Sequence, residues 1–105
     1  MTERLTIFAR ITPKTEYFED ARQAVLDIIS ATLAEPGCHT FTLHEDAEAR
    51  QRLYLYEIWE NESALSAHHE QSYTQAVFDS YREWLSEPVE ITVLRQLGGG
   101  LQCSS

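Results

Sequence analysis

The order of its periodic segments predicts an α+β chain of the ferredoxin-like split βαβ type, a four-stranded antiparallel sheet covered by helices on one face. Three observations carry this. LTIFARI alternates with period two, CHTFTLHED and RLYLYEIW are rich in β-branched and aromatic residues, and two longer segments repeat apolar residues at helical spacing. In chain order they read β-α-β-β-α-β.

The first strand sets Leu5, Ile7, Ala9 and Ile11 on one face and Thr6, Phe8 and Arg10 on the other. From Glu16 to Glu35 the positions Phe18, Ala21, Val25, Ile28 and Thr32 follow a helical stripe, which EPG at 35–37 terminates. CHTFTLHED and RLYLYEIW flank a polar AEARQ connection and pair as an antiparallel hairpin. Asn61 or Ser63 caps a short helix over SALSAHH, and a second helix carries Val77, Phe78, Tyr81, Trp84 and Leu85 on one stripe until Pro88. VEITVLRQL supplies the last strand.

The length of 105 residues fits one domain, read as residues 1–97 with a flexible C-terminal tail at 98–105. With helices on one sheet face, the apolar residues expected on the other face from every strand need cover. A second copy of the sheet supplies it, so a homodimer is expected. Seventeen acidic residues against eight basic ones, a net charge of −9, suit a solvated surface and not the neutralisation of phosphates, which excludes nucleic acid as a partner. No apolar run approaches the roughly 20 residues that cross a bilayer, so neither membrane nor export is expected and the protein reads as cytoplasmic. The two cysteines form no disulfide framework: Cys38 reads as a small core residue and Cys103 as an exposed thiol. His44, His68 and His69 make no paired metal-binding spacing on a helix, so no metal site is expected.

EPGCHTFTLHED, YLYEIW and SALSAHHE together resemble the antibiotic biosynthesis monooxygenase family. The matching positions are Pro36, Gly37, Cys38, Phe41, Leu43 and Asp46, then Tyr56, Glu57 and Trp59, then Ala64, Leu65 and His68, within residues 5–97. The resemblance implies a dimeric α+β barrel with sheets packed back to back and a small-molecule pocket between each sheet and its own helices. It also implies catalysis without metal, flavin or haem, in members that oxidise quinols or polyketide phenols with dioxygen. Two positions depart from the pattern. Tyr73 stands where many relatives carry a second histidine or a similar polar residue, and the only asparagine, Asn61, lies outside the strands where some of these oxygenases use one.

Glu57 shares a strand face with Leu53, Leu55 and Trp59, where a carboxylate is costly unless paired. It is either a rim residue reaching water or a pocket acid or base tuned by desolvation and by His68. His68, the histidine matched to the family, titrates near neutrality in its unperturbed form and is the candidate proton acceptor. His69 matches no motif and is expected to be exposed. Trp59 is a candidate stacking wall for a planar substrate, or plain core. Phe8, Tyr73 and Phe78 are candidate pocket walls with the same ambiguity, and His44, sharing parity with Cys38, Thr40 and Thr42, lines the pocket unless a bulge intervenes.

The expected function is oxidation of a small electron-rich aromatic, quinol-like or phenol-like, by dioxygen, with His68 and Glu57 moving the proton and no cofactor. Proton-transfer isomerisation of a small hydroxylated carbonyl compound, as in degradation of phosphorylated autoinducer-2, is the alternative enzyme class, and a small-molecule-binding dimer without activity is the third. Haem degradation fits less well, because the first strand has Phe8 and Ala9 where that chemistry needs an asparagine.

Overall fold

A computed structural model describes residues 4–48 and 50–99; Cys103, and all of the expected tail except Gly98 and Gly99, lie outside them. The elements are β1 (Leu5–Ile11), a 3₁₀ turn (Thr15–Tyr17), α1 (Phe18–Leu33), β2 (Cys38–Glu45), β3 (Leu53–Trp59), α2 (Glu62–His69), α3 (Ser72–Trp84) and β4 (Glu90–Leu94). The strands form one antiparallel sheet in the order β2-β3-β1-β4. This is the α+β ferredoxin-like arrangement that the periodicity predicts.

Period-two alternation decides which side chains meet the helices. Ile7, Ala9 and Ile11 of β1 are buried, and they pair laterally with Glu57, Leu55 and Leu53 of β3, so one sheet face is continuous across the two strands. Phe41 from β2, Ala21 and Val25 from α1 and Val77 from α3 close on that face and complete the core. Trp59, at the end of β3, is fully buried beneath it.

The other face carries Phe8, Tyr54, Tyr56, Ile58 and Leu94, with Phe8 and Tyr54 stacked at 5.6 Å between ring centroids. Not every strand adds apolar residues there, as the sequence had implied: β2 presents Thr40, Thr42 and His44. A register shift between Cys38 and Thr40 is the cause. Cys38 pairs with Trp59 on the helix-covered side, but Thr40 pairs with Ile58 on the open side, so the parity counted from Cys38 fails one residue later.

β4 is shorter than the expected 89–97 segment and all five of its residues are exposed. It pairs only with β1, and the helices stop short of it, leaving Ile91 at 59% and Val93 at 62% exposure on the helix side of the sheet. Among the described residues no helix is long and apolar enough to cross a membrane.

Candidate functional site

Glu57 reaches the site because β3 alternates without a break. Its Oε1 accepts a hydrogen bond at 2.8 Å from Nε1–H of Trp59, two residues along on the same face. The indole therefore offers its one polar atom to the carboxyl. Burial raises the proton affinity of Glu57 above the ordinary carboxylate range, an effect opposed by the Trp59 N–H and by His68.

His68 is delivered by α2, whose start is fixed by Asn61: its Oδ1 accepts from the Ala64 backbone N–H at 3.0 Å. The imidazole is 4% exposed and lies 4.8 Å from Trp59 and 5.5 Å from Phe41, centroid to centroid. Its Nδ1 sits 2.9 Å from Oε2 of Glu35 and 3.4 Å from the hydroxyl of Thr74. Tyr73 donates its phenolic O–H to the same Glu35 oxygen.

Glu35 is placed by the end of α1. Its backbone N–H donates to the Thr32 carbonyl at 3.0 Å, and the chain then turns sharply through Gly37, whose φ is +86°. A Cβ at Gly37 would stand 2.7 Å from the Cβ of Ala64, so the turn also lets α2 approach closely. Glu35 is 9% exposed, and its second oxygen, Oε1, is buried without a hydrogen-bond partner. The charge reaches its neighbours: burial, then Glu35, pushes the Tyr73 phenol up to about 12, and burial with Glu35 and Glu57 pushes the Cys38 thiol up to about 11.

Between the sheet and the helices lies a cavity of about 240 Å³. Benzene fits a cavity of roughly 150 Å³, so this one has room for a substituted ring. Its walls are mostly aliphatic, including Ile7, Ile11, Val25 and Leu55, and its polar groups come from Glu57, His68, His69, Thr74 and Tyr81. None of the described residues lining it is Lys or Arg. Ile91 and Val93 of the edge strand form its outer wall.

The candidate residues thus separate by position. Glu57, His68 and Phe78 line the cavity. Trp59 stands behind Glu57 as core and hydrogen-bond donor instead of forming a stacking wall, and Tyr73 stands behind His68, reaching it through Glu35. Phe8 and His44 are corrected: both lie on the open face, Phe8 because it has the opposite parity to Ile7 and Ala9, His44 because of the shift after Cys38. There His44 Nε2 meets the Thr42 hydroxyl at 2.8 Å. His69 is corrected in the other direction, since it is half-buried and lines the cavity, edge-on to Phe78 at 5.5 Å. Burial, and then the charge of His68, lower its proton affinity. Among the described residues no three His, Cys, Asp or Glu side chains are grouped to hold a metal ion.

Glu35 and Thr74 were not legible as site residues. Glu35 opens the EPGC segment, where its acidity looks like part of a helix terminator, and only the tertiary fold sets it under His68.

A family model described as antibiotic biosynthesis monooxygenase matches residues 4–80. The chain is 33% identical over 98 residues to Rv0793 of Mycobacterium tuberculosis, covering 92% of this chain and 95% of that one. The crystal structure of PA3566 from Pseudomonas aeruginosa superposes with a TM-score of 0.86 at 26% identity, covering 93% of this chain and 98% of that one. The solved structure of Rv0793 superposes with a TM-score of 0.87, covering 94% and 100%.

Proposed function

The chain belongs to the antibiotic biosynthesis monooxygenase family, and on that premise we propose that it oxidises a small, neutral, electron-rich phenol or hydroquinone with dioxygen, drawing its electrons from the substrate and not from a bound cofactor. The observation that carries this reading is a buried histidine, held by a carboxylate on one nitrogen, at the wall of an otherwise apolar cavity large enough for a substituted ring. His68 takes the phenolic proton, and the electron-rich anion reacts with dioxygen. One oxygen atom ends on a ring carbon, the other leaves as water with two hydrogens from the substrate, and the ring gives up all four electrons that dioxygen takes, ending as a quinone. Glu57, whose proton affinity burial raises, is the second group in the wall able to relay a proton.

The apolar walls exclude water and keep the substrate beside His68, the contributions a protein can make to such a reaction through orientation and a dry site. A carboxyl in the wall and the lack of Lys or Arg among the described lining residues disfavour a phosphorylated substrate. We also propose that the open sheet face, with Phe8, Tyr54, Tyr56 and Leu94, is covered by a second copy of the chain. Oxygen consumption measured across a panel of phenols and hydroquinones tests the enzymatic reading: turnover that draws oxygen supports it, and turnover without oxygen demand points to isomerisation.

A further inference from the structure

Glu35 sits outside the cavity wall, yet its carboxylate is the partner of His68 and is itself almost sealed from water. Such an arrangement is costly to build, because a buried carboxylate must be compensated by donors. Two groups converge on Oε2, the Tyr73 O–H as donor and His68 Nδ1, whose role depends on the ring's tautomer, while Oε1 has no partner. This asymmetry limits where protons can be. A proton on Oε2 would compete with the Tyr73 O–H or with hydrogen on Nδ1, and a proton on Oε1 would be a buried donor with nothing to receive it.

We propose that Glu35 is the positioning residue of this site: as an ionised carboxylate it holds His68 in the tautomer with hydrogen on Nδ1, which leaves the Nε2 lone pair as the base available to the cavity. It also stabilises the imidazolium once His68 has accepted the substrate proton. Tyr73 completes the unit by donating a second hydrogen bond to the same oxygen, and its high proton affinity keeps it a donor throughout the neutral range. The part of this inference that concerns rate rests on the reading of His68 as the base. The part that concerns the tautomer does not.

The physical cause is the one-sided nature of the two ring nitrogens. In a neutral imidazole one nitrogen donates and the other accepts, and the hydrogen bond made by one fixes the role of the other. A carboxylate can only accept, so it forces hydrogen onto Nδ1. An amide does not, because it can present either its oxygen or its NH₂ group. Glu35→Gln is therefore close to isosteric while releasing the constraint.

The test is a long-range ¹H–¹⁵N correlation spectrum of the His68 ring, recorded on the intact protein at a pH where the ring is neutral. The wild type should show Nδ1 protonated and Nε2 unprotonated, and this alone needs no variant and no substrate. Glu35→Gln should populate the Nε2–H tautomer and lower kcat at least about tenfold with little change in KM, whereas Tyr73→Phe, which leaves the carboxylate in place, should keep the wild-type tautomer. A wild-type ring with hydrogen on Nε2 overturns the proposal, and so does a Glu35→Gln ring that keeps the Nδ1–H form. If the tautomers behave as expected but no substrate is ever turned over, the positioning role stands and the oxygenase reading fails on its own.

Discussion

Nδ1 of His68 lies 2.9 Å from Oε2 of Glu35, across 33 residues of sequence and with both side chains nearly excluded from water. The pair ties the end of α1 to the end of α2, so it is part of the fold as well as of the site. Removing the ring outright would leave a buried carboxylate without its main partner, a loss of about 3–5 kcal/mol for pairs of this kind. His68→Ala is therefore expected to lower the melting temperature strongly and to confound any loss of rate. His68→Asn is the cleaner variant, because its amide can still donate toward Glu35 while nothing replaces Nε2. It should keep the far-UV circular dichroism of the wild type and lose roughly 10²–10⁴-fold in turnover.

Glu57 supplies a prediction whose sign depends on pH. Burial raises its folded-state proton affinity above the ordinary value of 4.5, so the folded protein holds this proton where the unfolded chain has released it. The associated stability is fully present below the unfolded value and is lost as pH rises through the folded one. Glu57→Gln keeps an acceptor for the Trp59 N–H and removes the ionisation. Its melting temperature relative to wild type should therefore increase as pH rises above 4.5, measured by calorimetry at matched ionic strength. A difference that does not change with pH would show that burial leaves this carboxyl unperturbed. Turnover of the same variant separates a proton relay, which it should slow, from a purely structural acceptor, which it should not.

Element order, the two faces of β1 and β3, Asn61 as one of two candidate caps and the place of Glu57 and His68 in the pocket wall were legible in the sequence, because each depends on local periodicity or a local motif. What was not legible depends on contacts far apart in the chain. His44 has the parity of a pocket residue until the shift between Cys38 and Thr40 moves it to the open face. His69 matches no motif and looks exposed, but α3 folds back and sets Phe78 against it. Glu35 carries no sign that a helix terminator will meet a histidine of another helix. Trp59 reads equally as a stacking wall or as core, and only the fold decides between them: its N–H is committed to Glu57 and its ring to the core.

Gly37 links the backbone to the site. Its φ of +86° disfavours any other L-residue, and an added Cβ would meet Ala64 at 2.7 Å and Glu60 at 3.3 Å. Gly37→Ala should cost about 1–2 kcal/mol from conformation alone, plus whatever displacement of α2 relieves the contact. Since α2 carries His68, the variant should lose activity by a larger factor than its loss of folded population explains, as measured by turnover and denaturant unfolding on the same preparation.

The open sheet face predicts an assembly. Phe8 is 38% exposed and stacks on Tyr54 in the middle of that face, where a carboxylate could not be buried against a second sheet. Light scattering after gel filtration should give a dimer for the wild type at micromolar concentration and a monomer for Phe8→Asp. A wild-type monomer under those conditions would refute the back-to-back arrangement.

The central claim, that His68 in this cavity prepares a neutral phenol or hydroquinone for direct reaction with dioxygen, is tested most directly by isotope incorporation. Wild type and His68→Asn would be incubated under ¹⁸O₂ with a panel of neutral phenols and hydroquinones, with product mass and oxygen uptake followed together. We expect one labelled oxygen atom in the product, one dioxygen consumed per substrate, and at least about a hundredfold slower formation in His68→Asn. Unlabelled product, binding with no turnover, or labelling at the same rate in both proteins would contradict it.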